Sequence, residues 1–247
     1  VLWVVAFSAP ILRAQQPPPS LDAVLDRYAQ ALGGKAEYEK TTSVVIKGTI
    51  DFPDFGASGT TTEYFQRPNR LAAVTEIEGF GTVRMVCDGT TAWSENPQAG
   101  LRQMTGQQLS DMVRRSDPHW PIKLKEYYPG IKIKDRETVD GQDAWVLEAT
   151  LDGARYRWYF DTGKGEMIRF DTETGKPETS YSILIGDYRP VGTLRFAFGA
   201  SFSSAQLKWN RKLSEVRFNA PIDDAVFAKP DAKKPAAQQG HGTGGSR

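Results

Sequence analysis

IKIKDRETVDGQDAWVLEATLDGARYRWYFDTGKGEMIRFDT, residues 131–172, decides the fold. It breaks at Asp140-Gly141, at Asp152-Gly153 and over Asp161 to Gly165 into four runs that carry the residue types and period of β-strands. Asp-Gly between two such runs marks a tight hairpin, because the favoured two-residue turns need positive φ. The segment therefore reads as four consecutive antiparallel strands. Downstream, TSYSILIGDY, TLRFAFG, SAQLKWN and RKLSEVRF continue the pattern, with Thr174-Gly175 and Gly199 as breaks.

Upstream, SVVIKGTIDF sets Ile46, Ile50 and Phe52 on one face and Lys47, Thr49 and Asp51 on the other. Strand-like runs follow at Gly59 to Phe65, Arg70 to Ile77, Thr82 to Cys87 and Thr91 to Trp93, with Asp88-Gly89 as the last turn. Helical spacing interrupts the strands twice. Leu21, Val24, Leu25, Tyr28, Ala29 and Leu32 form one amphipathic face, with Ser20 as N-cap and Gly33-Gly34 as the stop. Between Thr105 and Tyr128, Leu109, Met112 and Val113 mark one short helix, and Ile122, Leu124, Tyr127 and Tyr128 mark a second beyond the Pro118 to Pro121 break. Strands recurring about every 8 to 12 residues around one helical insertion point to an α+β, mainly antiparallel β domain, either a barrel or a strongly curved sheet.

The expected domain covers residues 20–229. Val1 to Leu12 is an apolar run followed by Arg13 and Ala14, so residues 1–14 read as a secretory segment and 15–19 as a Gln-Pro linker. The run is shorter than the roughly 20 apolar residues of a membrane-spanning helix. The expected product is exported and soluble. Residues 230–247, polar and rich in Gly and Ala, read as a disordered tail.

Composition removes several function classes. Lys+Arg 31 against Asp+Glu 30 leaves a formal charge of +1 and no electrostatic case for a nucleic-acid partner or a polybasic membrane patch. A single cysteine, Cys87, excludes an intrachain disulfide, and two histidines far apart exclude a structural zinc site. His119 is the one histidine of the folded region and lies in DPHWP without a nucleophile motif, and Cys87 ends an apolar strand with no cation near it in sequence. Asp223-Asp224 and Glu76/Glu78 read as solvated carboxylates, and no GxGxxG or P-loop is present. The expectation is a protein that is not an enzyme and holds no cofactor or metal. What stands out is the aromatic load on the strands, among them Trp145, Trp158, Phe160, Tyr181, Phe196, Phe202 and Trp209. In a curved sheet such residues fill a core or line a cavity for an apolar ligand.

YFQRPNRLAAV followed by VRMVCDGTTAWSENP resembles the LolA/LolB lipoprotein-sorting carrier family, in which Arg-Pro-Asn at a strand end precedes two strands and an Asp-Gly-x-x-x-Trp hairpin with a nearby Asn-Pro. GDYRPVGTLRF and VRFNAPIDDAVFAKP are similar to the closing segments of the wider LolA-like group, which includes RseB-like sensors. The resemblance extends over residues 20–230. It implies an unclosed half-barrel of about ten or eleven strands, with a helical lid over a hydrophobic cavity that receives acyl chains without covalent chemistry. It further implies a monomeric periplasmic carrier whose partners are an acyl lipid or lipoprotein and envelope membrane proteins, or a sensing module of the same fold.

Strand parity and helix face nominate Ile46, Ile50, Leu71, Val83, Met85, Trp93, Leu109, Met112, Trp145, Leu147, Trp158, Phe160, Ile183 and Phe196 as cavity residues. Arg67 matches the lid-holding arginine of the family, and at a strand end it reads equally as a surface arginine. Phe80, between two glycines in EIEGFGT, is either a wedge toward a membrane or partner or a hairpin aromatic folded onto the sheet, the second being favoured.

Overall fold

The computed structural model describes residues 18–230. The expected secretory segment, most of the linker and the expected tail lie outside the described residues.

Helix α1 (Leu21–Ala31) starts where the Ser20 side chain accepts the Ala23 N–H at 3.1 Å. It ends at Gly33, where φ is +109° and a Cβ would sit 2.5 Å from the Thr193 carbonyl oxygen. Only glycine permits that approach. A short α2 (Lys35–Tyr38) leads into six strands: β1 (Ser43–Phe52), β2 (Ala57–Gln66), β3 (Arg70–Ile77), β4 (Gly81–Cys87), β5 (Ala92–Asn96) and β6 (Gly100–Gln103). Then come α3 (Gly106–Arg115), a 3-10 turn at Trp120–Ile122 and α4 (Leu124–Tyr127). Seven more strands and a 3-10 turn at Asp224–Phe227 follow among the described residues, the strands being β7 (Lys132–Val139), β8 (Gln142–Leu151), β9 (Ala154–Asp161), β10 (Met167–Glu173), β11 (Tyr181–Val191), β12 (Leu194–Ser204) and β13 (Lys208–Phe218).

All thirteen strands form one sheet in the order β6-β5-β4-β3-β2-β1-β13-β12-β11-β10-β9-β8-β7, antiparallel throughout. The two meanders join where β1 pairs with β13, which leaves β6 and β7 as unclosed edges. The count exceeds the ten or eleven expected. Strand β6, GLRQ, is too short to show a period, whereas the runs SAQLKWN and RKLSEVRF contribute to one strand, β13.

Register assigns the faces. One concave row crosses β8 to β13 as Leu147, Trp158, Phe170, Ile183, Phe202 and Trp209. Another crosses β13 and β1 to β5 as Phe218, Val44, Phe65, Leu71, Cys87 and Ala92. On the β7–β10 wing, α1 and α4 pack Val24, Tyr28, Leu32 and Leu124 against Leu147, Tyr156, Trp158 and Phe160. Tyr128, Tyr156 and Trp158 interlock there with ring centroids 4.6 to 6.1 Å apart, an arrangement that adds about 0.5–1.5 kcal/mol per pair beyond area burial. On the opposite face of the β2–β5 wing, Tyr64, Ala72 and Val86 are covered by Ile222, Val226 and Phe227 of the C-terminal segment.

Candidate functional site

Helix α3 connects the two wings. Leu109, Met112 and Val113, at helical spacing, pack on Leu71, Ala73, Cys87 and Ala92 of the β3–β5 wing. The neighbouring face of the same helix reaches the other wing. The Tyr156 hydroxyl donates to Asp111 Oδ1 at 2.6 Å, and Gln107 Nε2 lies 3.4 Å from the same hydroxyl. Arg114 donates to Asp111 at 2.5 Å and to Asp152 at 3.3 Å, with its guanidinium 5.5 Å from the Tyr128 ring centroid. Burial pushes the Tyr156 hydroxyl pKa up, and its hydrogen bond to Asp111 adds to the rise, so the phenol stays a donor. Next to it, Arg115 stands 5.7 Å from the Phe170 ring centroid and 5.6 Å from that of Tyr181. Burial opposes its charge, but the oxygens of Tyr181, Tyr128, Asp111 and Tyr156 outweigh this and raise the pKa, so Arg115 is a cation at every working pH.

Beneath α3 the concave face has a filled wing and an open one. Leu147, Trp158 and Phe160 are 0–1% exposed, a solid core under α1. Tyr181, Ile183, Phe202 and Trp209, further along, keep part of their surface open. Tyr181, Phe202 and Trp209 stack in sequence with centroids 5.3 Å apart at each step. Arg211 lies 5.9 Å from the Trp209 ring centroid and pairs with Glu63 on the same face. An apolar strip with a charged border results, which suits an elongated apolar guest more than a reaction centre.

The nominated residues fall into distinct places. Trp145, Leu147, Trp158 and Phe160 belong to the filled wing. Ile46, Ile50 and Leu71 are buried on the central and β3 strands, and Phe196 packs with Phe218 at 6.0 Å. Val83 and Ile183 are half-buried, and Met85, 37% exposed, shares the concave parity of Leu71 and Cys87. Leu109 and Met112 are on the covering helix. Trp93 is a correction: Ala92 takes the concave position opposite Cys87, so Trp93 pairs with Val86 on the other face, where Lys229 lies 5.9 Å from its ring centroid. Alternation alone left the parity of so short a strand open.

Arg67 is exposed at the end of β2, and its backbone N–H donates to the Thr42 carbonyl. The side chains joining α3 to the β8–β9 hairpin are instead Asp111, Arg114, Tyr156 and Asp152. Asp111 and Arg114 at i, i+3 were readable as a helix pair, but Tyr156, 45 positions away from Asp111, was not. Phe80 is half-buried at the β3–β4 turn, while Phe55 at the β1–β2 turn is 66% exposed. His119 is buried, with Nε2 2.7 Å from the Thr41 carbonyl oxygen, and its backbone N–H donates to Asp117 Oδ1. Cys87 is buried under α3. Both are engaged in packing. A separate groove of about 670 Å³ runs between the β7–β8 turn and β11–β13, lined by Asp51, Asp140, Asp187, Arg189 and Asn210 among others. Its lining is mixed, with Val139, Ile168, Leu184, Phe198 and Leu213 beside the charged groups. Among the described residues no helix is long and apolar enough to cross a membrane.

No family model matches the chain, and no curated protein matches it in sequence. Solved structures do match. A LolA superfamily protein from Nitrosomonas europaea is similar over 86% of this chain and 99% of its own, at 11% identity and a TM-score of 0.56. A DUF1329 family protein from Desulfovibrio piger matches over 85% and 98%, at 13% identity and 0.55. An outer membrane lipoprotein-sorting protein domain from Vibrio parahaemolyticus matches over 84% and 97%, at 12% identity and 0.54. At these identities what is shared is the backbone arrangement. The unclosed antiparallel sheet with helices across its concave face is the LolA-like fold, and the chain has it.

Proposed function

We propose that this chain is an exported, non-enzymatic carrier that takes an acyl chain of a lipid or lipoprotein onto the open wing of its concave face and transfers it within the envelope. The observation that carries the reading is helix α3, held to both wings while lying beside aromatic side chains that are only half covered. A closed core would need no such arrangement.

Magnitudes favour reversible opening. Burying one methylene contributes about 0.8 kcal/mol, so eight methylenes along Ile183, Phe202 and Trp209 supply ~6 kcal/mol before the cost of immobilisation. A hydrogen bond to a charged group, such as Tyr156 to Asp111, contributes about 1.5–3 kcal/mol. Before that cost, guest burial thus exceeds what the Tyr156–Asp111 bond contributes. The lipoprotein-sorting description of one structural neighbour agrees with this class of guest, and the apolar run Val1 to Leu12 agrees with export. A protein-binding module of the same fold is the weaker reading. Of the three exposed large hydrophobics among the described residues, Met85 has the concave parity, and Phe55 and Leu184 lie on different elements and form no contiguous patch.

Native mass spectrometry tests the proposal on protein expressed with export and purified without detergent. The expected result is an acyl lipid that leaves on solvent extraction and is lost in Ile183→Glu and Phe202→Glu. Protein that stays empty after incubation with envelope lipids refutes it.

A further inference from the structure

Three polar groups near the C-terminal end of α3 lack a partner among the described residues. Arg114 takes both Asp111 and Asp152, leaving the Arg115 guanidinium between two aromatic rings with no carboxylate. Thr172 Oγ1 and Trp158 Nε1 are buried without a hydrogen-bond partner. Register brings these groups together. Thr172 sits between Tyr156 and Tyr181, and Trp158 sits directly beside Phe170, so of the two rings that flank Arg115, Tyr181 is the cross-strand neighbour of Thr172 and Phe170 that of Trp158. Guanidinium and indole N–H groups donate only, and the threonine hydroxyl can donate as well as accept, so the cluster offers N–H donors that no acceptor among the described residues takes.

We propose that this corner of the concave face binds the anionic head, a carboxylate or a phosphate, of the acyl ligand, with the chain running along Ile183, Phe202 and Trp209. The assignment rests on the carrier reading and sharpens it: the ligand is an anionic amphiphile rather than a neutral one. Aromatic faces compensate a half-buried guanidinium only in part. An oxyanion does so through paired, charge-assisted hydrogen bonds in the planar geometry that arginine presents. Arg115 is carried on α3, so closing that helix over a guest brings the cation to the head while Leu109, Met112 and Val113 stay on the other wing.

The test compares three ligands with one chain length, palmitate, palmitoyl lysophosphatidate and 1-monopalmitoylglycerol, by tryptophan fluorescence titration. The expected result is that wild-type protein binds at least one anionic ligand tenfold or more tighter than the neutral glyceride. Tight binding of palmitate alone identifies a carboxylate head, and tight binding of lysophosphatidate alone identifies a phosphate. Arg115→Met is expected to abolish the preference and leave the glyceride Kd within twofold, while Arg115→Lys retains part of it. Equal binding of all three ligands by wild type overturns the inference and leaves the carrier reading standing. A preference that survives in Arg115→Met also overturns it. Failure of all three to bind overturns the carrier reading and the inference with it. The wild-type comparison decides even where Arg115→Met does not fold.

Discussion

Tyr156→Phe removes one oxygen atom from the contact between α3 and the β8–β9 hairpin. The ring is 1% exposed and remains packed against Tyr128, Trp158 and Phe170, so the hydrophobic core is retained. What goes is the 2.6 Å hydrogen bond to Asp111 and the weaker contacts from Gln107 and Arg114. Hydrogen bonds to charged groups contribute about 1.5–3 kcal/mol. Asp111 keeps Arg114 as a partner and its side chain is 16% exposed, so the lower end, about 1.5 kcal/mol, applies. If α3 opens as a local unit, that loss raises its opening constant by roughly tenfold, since 1.4 kcal/mol is a factor of ten. Hydrogen exchange measured by mass spectrometry reads this directly. Peptides covering residues 106–115 are expected to exchange about tenfold faster in the variant, with α1 and β9 unchanged. Asp111→Asn is expected to accelerate the same peptides at least as much, because it also weakens the ion pair with Arg114, and adding Tyr156→Phe to it is expected to add little, because the bond between the two side chains is already weakened. Uniform acceleration over every peptide would mean that α3 opens only when the whole domain unfolds, and unchanged exchange in 106–115 would mean that this bond does not hold the helix. Either outcome refutes the latch.

Two further predictions concern stability. Leu147→Ala in the filled wing is expected to cost about 2–5 kcal/mol in urea unfolding, as cavity-forming substitutions do, whereas Ile183→Ala on the half-covered β11 costs less, about 1 kcal/mol; equal costs would contradict the division into filled and open wings. Asp88 has a pKa lowered to about 2: burial pushes it up, but hydrogen bonds from the Thr91 hydroxyl, the Thr91 and Thr90 N–H groups and the Thr90 hydroxyl outweigh that. Its folded pKa lies below the ordinary aspartate value of about 3.9, so its contribution to stability is present above that pH and is lost as pH falls toward 2. Carboxyl NMR titration checks this, and a midpoint near the ordinary value would contradict the turn geometry.

The sheet was legible because its signals are local. Asp140-Gly141 and Asp152-Gly153 place positive φ at the turns, with Asp140 at +46° and Asp152 at +52°, and the strands between them alternate. Helix α1 was equally plain, with Ser20 capping it and glycines ending it. Parity failed at Trp93, where the five-residue strand β5 was too short to settle which face the tryptophan takes. The Tyr181, Phe202 and Trp209 stack stayed hidden because it depends on the register of three strands, one of which the sequence reading had split.

Residue type, period and turn chemistry within a few positions thus determined an antiparallel, strongly curved sheet interrupted by short helices, and a shared order of short motifs pointed to the LolA-like group. Tertiary structure alone decided that α1 and α4 fill one wing, that α3 spans to the other, and that Arg115 meets Phe170 and Tyr181 without a carboxylate. The physical reason is range. Alternation and capping act between neighbours along the chain, whereas the latch joins Asp111 to Tyr156 and Arg115 reaches rings 55 and 66 residues further on, contacts that exist only once the sheet has curved and brought its wings beneath one helix.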